Sequence, residues 1–233
     1  MGYGITPDFL VVRADTTIPE DMLQKIALAS GIAREHVFGA PTLESIYHVP
    51  LFFHEHAMGQ KVLKKLGMTY DTIDMSAWEQ FVGKMHASKN VKNIAMIGKY
   101  TGLEDAYYSL NDGLKCAGFA HGVRVKLTFI EAETIEKEGV TILSAYDGIC
   151  IPGGFGSRGI EGMILATEYA RKNNIPYLGI CLGSQIMAIE YARNVLHITD
   201  ASSEEFDPDG KNNIIHIMHD QKYLETKGGN MRL

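Results

Sequence analysis

Two stretches of this 233-residue chain have residue types and spacings that suit covalent chemistry. The sharper is Gly179-Ile-Cys181-Leu182-Gly183-Ser184-Gln185, which has the glycine–x–nucleophile–x–glycine form of an elbow. Such an elbow needs a tight turn from a strand into a helix, which lifts the nucleophile out of the sheet. Glycines on either side relieve the crowding that a strained backbone creates there. The positive end of the helix that follows favours negative charge, as a thiolate or as an oxyanion. The plainer alternative is that Cys181 is a small buried hydrophobe, the usual fate of a free cysteine. The elbow context favours a nucleophile. Cys116 and Cys150 lack such flanks and are expected in the core.

The second stretch is Pro152-Gly-Gly154-Phe-Gly-Ser-Arg-Gly159, which follows an apolar run and precedes a helical one. Gly154 to Gly159 matches GxGxxG, but the expected strand before it does not open a βαβ unit. Position 179, where a ribose-binding acid would be sought, is Gly179. Beside an elbow, the loop serves better as an oxyanion hole. Its backbone N–H groups can face a tetrahedral intermediate with no side chain in the way. A tight turn needing positive φ explains some of the same glycines.

Positioning these two loops requires a regular scaffold, and the second part of the chain reads as one. Asn93–Ile97, Val123–Ile130, Asp147–Ile151 and Pro176–Ile180 read as strands. Leu103–Cys116 (with Tyr107, Leu110 and Leu114 on one side), Gly159–Lys172 and Leu182–Asn194 read as helices. Alternation with short connections predicts an α/β fold with a mostly parallel sheet, whose ligands bind at the carboxyl ends of the strands. Both glycine-rich turns fall on that edge. Before a seam at Met85–Lys92 the pattern is less regular. One strand (Asp8–Arg13) and helices at Pro19–Ser30, His54–Leu66 and Asp74–Met85 are expected, the first helix burying Met22, Ile26 and Ala29. So few strands make a poor independent core, and exposed apolar surface is expected over residues 1–90.

Composition bounds the function. Lys and Arg total 22 against 28 Asp and Glu, a formal charge of −6, which argues against a partner held by nucleic-acid phosphates. No run of apolar residues is long enough to cross a membrane, and the start has no secretory pattern. Three cysteines without a CxxC pair give neither a disulfide framework nor a zinc site, and a reducing cytoplasm is the expected home.

The two loops resemble the oxyanion loop and nucleophile elbow of class I glutamine amidotransferases. Gly98-Lys-Tyr-Thr-Gly-Leu-Glu-Asp-Ala-Tyr107, Ala192-Arg-Asn194 with Ser203-Glu-Glu-Phe206, and Gly228-Gly-Asn-Met-Arg-Leu233 are similar to CTP synthases. So are Gly4-Ile-Thr-Pro-Asp8, Lys25-Ile-Ala27 and Ile46-Tyr-His-Val-Pro50. The resemblance implies a flavodoxin-like α/β amidotransferase domain over 91–233, truncated at its C-terminus. It is preceded over 1–90 by the C-terminal part of a synthetase domain and its linker. CTP synthases aminate UTP at C4 with ATP, Mg2+ and ammonia released from glutamine, with CTP as product and inhibitor, and assemble as homotetramers.

By resemblance, Cys181 attacks the glutamine amide, and Gly154 and Leu182 give the oxyanion N–H groups. Gly154, Leu182, Gly183, Ser184 and Gln185 line the glutamine site, and Glu205 meets the α-ammonium group. Glu204 is expected in solvent. Lys25 is assigned to UTP or CTP, although the residues alone make it an exposed helix lysine. No residue is expected to hold a metal. The family's P-loop and magnesium-binding acids have no counterpart in these residues, nor does the H-x-E pair that activates the cysteine. His197, His216 and His219 have no Glu two residues on, and are expected to be structural or surface groups. Ser184 stands where methionine is usual, and Pro41-Thr-Leu43 matches an adenine-contacting segment only weakly. An internal fragment, inactive alone, is therefore expected. The alternatives are another class I amidotransferase, or a non-catalytic nucleotide-responsive or interaction module.

Overall fold

A computed structural model describes residues 2–69, 72–99 and 104–218, apart from the side chains of Glu104 and Asp105. The chain divides into two compact units, Met1–His86 and Ala87–Leu233.

In the first unit β1 (Leu10–Ala14), α1 (Glu20–Ser30) and β2 (Val37–Pro41) form a crossover with the strands parallel, Leu10 opposite Val37 and Ala14 opposite Pro41. Helix α1 carries Glu20 and Asp21 in its first turn, where the helix dipole favours acids. It ends at Gly31, whose φ of 67° suits glycine. Its buried stripe is Leu23 and Ala27 with Ile26 at the margin, not Met22, Ile26 and Ala29 as expected. Apolar residues lie most of the way round this helix, so periodicity defined two stripes. The pair at i and i+4 that meets β2 is the one buried. Strand β2 was not expected, because Gly39 and Pro41 interrupt its pattern. It forms on the edge that β1 offers and buries Val37, Phe38 and Ala40.

The expected helix His54–Leu66 is two helices, α2 (Val49–Glu55) and α3 (Met58–Lys65). Ala57 between them sits at φ 53°, which no α-helix accommodates. Helix α4 (Ser76–Ala87) starts two residues later than expected. The Asp74 carboxylate accepts the Ser76 N–H (2.9 Å), and this bond holds Asp74 below the usual carboxylate range. Tyr3, Ile5, Leu28, Leu66 and Met68 stand in solvent.

The second unit runs β3 (Asn90–Gly98), α5 (Tyr108–Ala120), β4 (Val123–Glu131), α6 (Ala132–Glu138), β5 (Gly148–Ile151), α7 (Ile160–Lys172), β6 (Tyr177–Gly179), α8 (Leu182–Asn194), β7 (Ser202–Ser203) and β8 (Asn213–Ile215). A 3-10 turn at Glu104–Tyr107 replaces the start of the expected helix over 103–116, whose first residue lies outside the described residues. Helix α6 and the β7–β8 pair were not expected; all three are short. The main sheet is fully parallel in the order β4-β3-β5-β6.

Side chains alternate across a strand, and the two faces of this sheet have separate cores. Ala95 and Ile97 of β3 and Ile149 and Ile151 of β5 pack with α6, α7 and α8, through Ile135, Met163, Leu182, Ile186 and Ile189. Met96 and Cys150, one residue out of phase, pack on the other face with Tyr107, Leu110, Leu114 and Phe129. Cys150 is a core residue, whereas Cys116 is only half-buried. The fold is α/β.

One charge lies inside this packing. Glu190 of α8 is 1% exposed, and its carboxylate receives Nε of Arg171 at 3.0 and 3.1 Å, Nη2 at 2.7 Å and Asn194 Nδ2 at 3.1 Å. Removing the guanidinium strands a buried charge, so Arg171→Ala should destabilise the unit by about 3 kcal/mol. It should read as a lower urea midpoint at unchanged slope. Arg171→Met with Glu190→Leu should recover most of the loss. A single variant as stable as the parent would show that the pair contributes nothing.

Candidate active site

The strand order places the site. From β3 the chain crosses to β4 on one side, then returns to β5 on the other, so β3 and β5 flank a switch point where loops diverge and leave a crevice. Three loops leave the carboxyl ends of neighbouring strands there. Lys99 follows β3, Pro152–Gly159 follows β5, and Cys181 follows β6.

Cys181 is exposed, directly before the first residue of α8, with φ 53° and ψ −106°. That conformation is strained for any residue with a Cβ, and it turns the thiol outward. The turn is locked by the helix it starts. The Cys181 carbonyl accepts the N–H groups of Ser184 (3.1 Å) and Gln185 (3.2 Å) and the Ser184 hydroxyl (2.7 Å). Both flanking glycines are required by close approach. A Cβ on Gly179 would lie 2.5 Å from the Gly183 backbone, and one on Gly183 would collide with the Ile151 carbonyl. Tyr177 donates its hydroxyl to the Gly183 carbonyl (2.7 Å), and burial pushes that phenol up to about 12.

The Pro152–Gly159 loop lies against this turn. A Cβ on Gly153 would sit 3.5 Å from Cys181 Cβ, and one on Gly154 would sit 3.2 Å from Leu182 Cδ2. The Gly183 N–H is taken by the Ile180 carbonyl, and those of Ser184 and Gln185 by Cys181. Among the described residues the N–H groups of Gly154 and Leu182 have no acceptor. They are unspent donors on the two turns, as are the N–H groups of Gly153 and Cys181.

Two charged side chains hold the loop from opposite sides. Lys99, 4% exposed, donates Nζ to the carbonyls of Phe155 (3.1 Å) and Gly156. Glu205 accepts the Gly156 N–H through Oε1 at 2.8 Å, which leaves Oε2 without a partner among the described residues. Burial lowers the Lys99 pKa; Glu205 opposes that shift and Arg158 adds to it. Arg158 donates to the Lys99 carbonyl and to Glu133 at 2.6 Å. Strand β7 delivers Glu205, since Glu204 N–H pairs with the Ile215 carbonyl and Glu205 N–H with Ser203 Oγ.

The structure thus brings Cys181, Leu182, Gly183, Ser184, Gln185, Gly154 and Glu205 to one sheet edge. Lys25 belongs to the other unit; its ammonium is largely in solvent, 3.5 Å from Asp21 on the same helix. Glu204 is not solvated as expected. Its carboxylate accepts the Ile217 N–H at 3.0 Å and lies 3.6 Å from His216. His197 and His216 are exposed, His219 lies outside the described residues, and no described imidazole bonds Cys181 Sγ. Lys99 carried a readable signal, a lysine directly after a strand-ending glycine, but nothing in sequence indicated that its ammonium turns back onto the loop. The Mg2+ that the resemblance implies finds no carboxylate site among the described residues. Among the described residues no three carboxylates converge, and the one group of metal-ligand side chains is Glu44, His48 and His86.

Two expectations follow from this geometry. Iodoacetamide at pH 8 should modify Cys181 first, Cys116 more slowly and Cys150 only on unfolding, since burial pushes the Cys150 thiol up to about 11. Peptide mapping reads the order, and early labelling of Cys150 would contradict the fold. Because burial lowers Lys99 below the free-lysine value, the unfolded chain holds more protons, and stability should rise with pH through the native Lys99 titration. Lys99→Met should remove that part of the slope and speed hydrogen exchange at the Gly156 amide.

Comparison with known proteins agrees with this geometry. Residues 103–233 match the family "Glutamine amidotransferase class-I", and residues 1–68 match "CTP synthase N-terminus". CTP synthase of Latilactobacillus sakei is 47% identical over 236 residues, covering 100% of this chain and 44% of that protein. The Pyrococcus abyssi CTP synthase is 41% identical over 230 residues, covering 99% of this chain and 43% of that protein. The chain therefore spans less than half the length of these relatives. Among solved structures, the glutaminase domain of Trypanosoma brucei CTPS with bound acivicin superposes with a TM-score of 0.52 at 38% identity, over 55% of this chain and 50% of that one. With elbow, glycine-rich loop and matched residues in agreement, the chain belongs to the class I glutamine amidotransferase family.

Proposed function

We propose that residues 91–233 are the glutamine-hydrolysing part of a CTP synthase, and that residues 1–90 are the C-terminal part of its synthetase domain with the linker. The observation that carries the chemistry is the exposed thiol of Cys181 at a strained elbow, beside two backbone N–H groups with no acceptor. The two family matches and the relatives named above support the CTP synthase assignment.

In this reading Sγ of Cys181 attacks Cδ of the glutamine side chain, and the carbonyl electrons move onto oxygen. The N–H groups of Gly154 and Leu182 receive that oxyanion; preorganised donors of this kind are each worth about 3 kcal/mol of barrier. Collapse breaks the C–N bond, the thiol's proton leaves with nitrogen as ammonia, and a glutamyl thioester remains. Water then cleaves the thioester, giving glutamate and the free thiol. Glu205 Oε2 is the open position for the substrate ammonium, and Gly183, Ser184 and Gln185 line the site. The ammonia aminates UTP at C4 at the expense of ATP. UTP, ATP and Mg2+ are consequences of the family reading; Lys25 is the one residue here assigned to UTP or CTP. A homotetramer and a cytoplasmic location belong to the same reading.

A second reading, a non-catalytic module, is favoured by one observation: no described base touches Cys181. Acivicin, carried by the trypanosomal relative, separates the two. It should modify Cys181 alone, with glutamine protecting, and Glu205→Gln should weaken that protection at least tenfold with the thiol still reactive. Slow labelling spread over all three cysteines, indifferent to glutamine, would sink the enzyme reading.

A further inference from the structure

We propose that Glu44, His48 and His86 form a site for one divalent transition-metal ion of the zinc class, held by two imidazoles and a carboxylate. The three side chains lie in the first unit, and their ligand atoms fall within 4.8 Å of one another. The His48 and His86 Nε2 atoms are 3.0 Å apart, with ring centroids separated by 5.1 Å. The Glu44 carboxylate is 3.8 Å from the other nitrogen of His86.

The backbone brings these groups together. His48 closes the 3-10 turn Ile46–His48, which Ser45 caps by accepting the Tyr47 N–H at 3.3 Å. His86 lies in the last turn of α4. The two elements are pinned by the Trp78 indole N–H, which donates to the Tyr47 carbonyl at 2.8 Å. Phe81 meets the Tyr47 ring edge-on at 5.2 Å and the Trp78 ring at 5.4 Å. A site on packed elements costs little reorganisation when it fills.

The contact itself is chemically specific. Two neutral imidazoles in Nε2–Nε2 contact share one N–H; when a metal ion takes its place, that ring's proton moves to its own Nδ1 and both Nε2 lone pairs bind the ion. Tetrahedral Zn–N bonds of about 2.0–2.1 Å set the nitrogens about 3.3 Å apart, a few tenths of an ångström from the spacing here. Nδ1 of His48 is buried with no partner among the described residues, so Nε2 is the ring's one polar outlet. Glu44 and His86 are exposed, which gives an ion a path in and leaves a fourth position to water. Two imidazoles and one carboxylate suit zinc, copper or nickel rather than magnesium or calcium. The site departs from the expectation of no metal ligands, which rested on cysteine spacing. Here the ligands stand at 44, 48 and 86.

The test is titration of the full, chelator-stripped chain with Zn2+ against a chromophoric competitor. Cys181→Ser serves as a control for binding at the thiol. One equivalent should bind to the parent and to Cys181→Ser. His86→Gln and His48→Gln should each lose at least a hundredfold in affinity, and Glu44→Gln about tenfold. Zn2+ should raise the melting temperature of the parent and not that of His86→Gln. His86 is exposed, so its variant decides the matter even if His48→Gln folds poorly. Equal zinc uptake by His86→Gln and the parent would overturn the proposal, leaving a plain histidine–histidine hydrogen bond. So would loss of the bound equivalent in Cys181→Ser.

Discussion

The active-site half of the molecule depends on how closely the first turn of α8 approaches the ends of β5 and β6. A Cβ on Gly183 would collide with the Ile151 carbonyl, and one on Gly179 would press on the Gly183 backbone. With both positions bare, α8 starts directly against the sheet, and Cys181 must take a positive φ to join strand to helix. The strain at one residue persists because packing around it is over-determined. Leu182, Ile186 and Ile189 are sunk in the same core as Ile149 and Ile151, and the phenol of Tyr177 fastens the Gly183 carbonyl. Loosening any of these would let the elbow relax toward an ordinary helix start.

The Pro152–Gly159 loop is held differently. It has little apolar burial of its own, and Phe155 stands in solvent. An ammonium on its carbonyls and a carboxylate on its amide clamp the Phe155–Gly156 segment from both sides. Charge-assisted hydrogen bonds fix a loop without side chains of its own to pack. The same carboxylate is the proposed substrate anchor, so the loop's order and the substrate's grip share one residue.

Sequence made the scaffold legible where period and boundary signals agreed. Helix α8 begins and ends where the pattern placed it, because an elbow marks its start and a steady apolar stripe marks its body. Elsewhere neighbours decided. Val37–Pro41 contains two strand-breaking residue types and became a strand because β1 offered it an edge. The apolar residues of α1 permitted two faces, and only the sheet selected Leu23 and Ala27. The helix expected over 54–66 broke at Ala57, a residue whose type gives no warning. Of the candidate site, the elbow at Cys181 and the loop beside it were visible as glycine spacing, since glycine there is a steric demand written into one residue type; Gly154 and Leu182 as donors came from the resemblance alone. Lys99 and the pairing of Glu204 were not. Those roles depend on where a long side chain turns after the fold is complete.

The order of strands in the main sheet has a consequence for how the molecule is made. Lys99, Gly154 and Cys181 come from three separate stretches of chain and meet only when β3, β5 and β6 lie side by side. A growing polypeptide therefore has no crevice around its elbow cysteine until the last of these strands docks. Non-local pairing of this kind is among the slower events of folding. Cys181 thus gains its surroundings at the end of assembly, when a finished crevice already frames it.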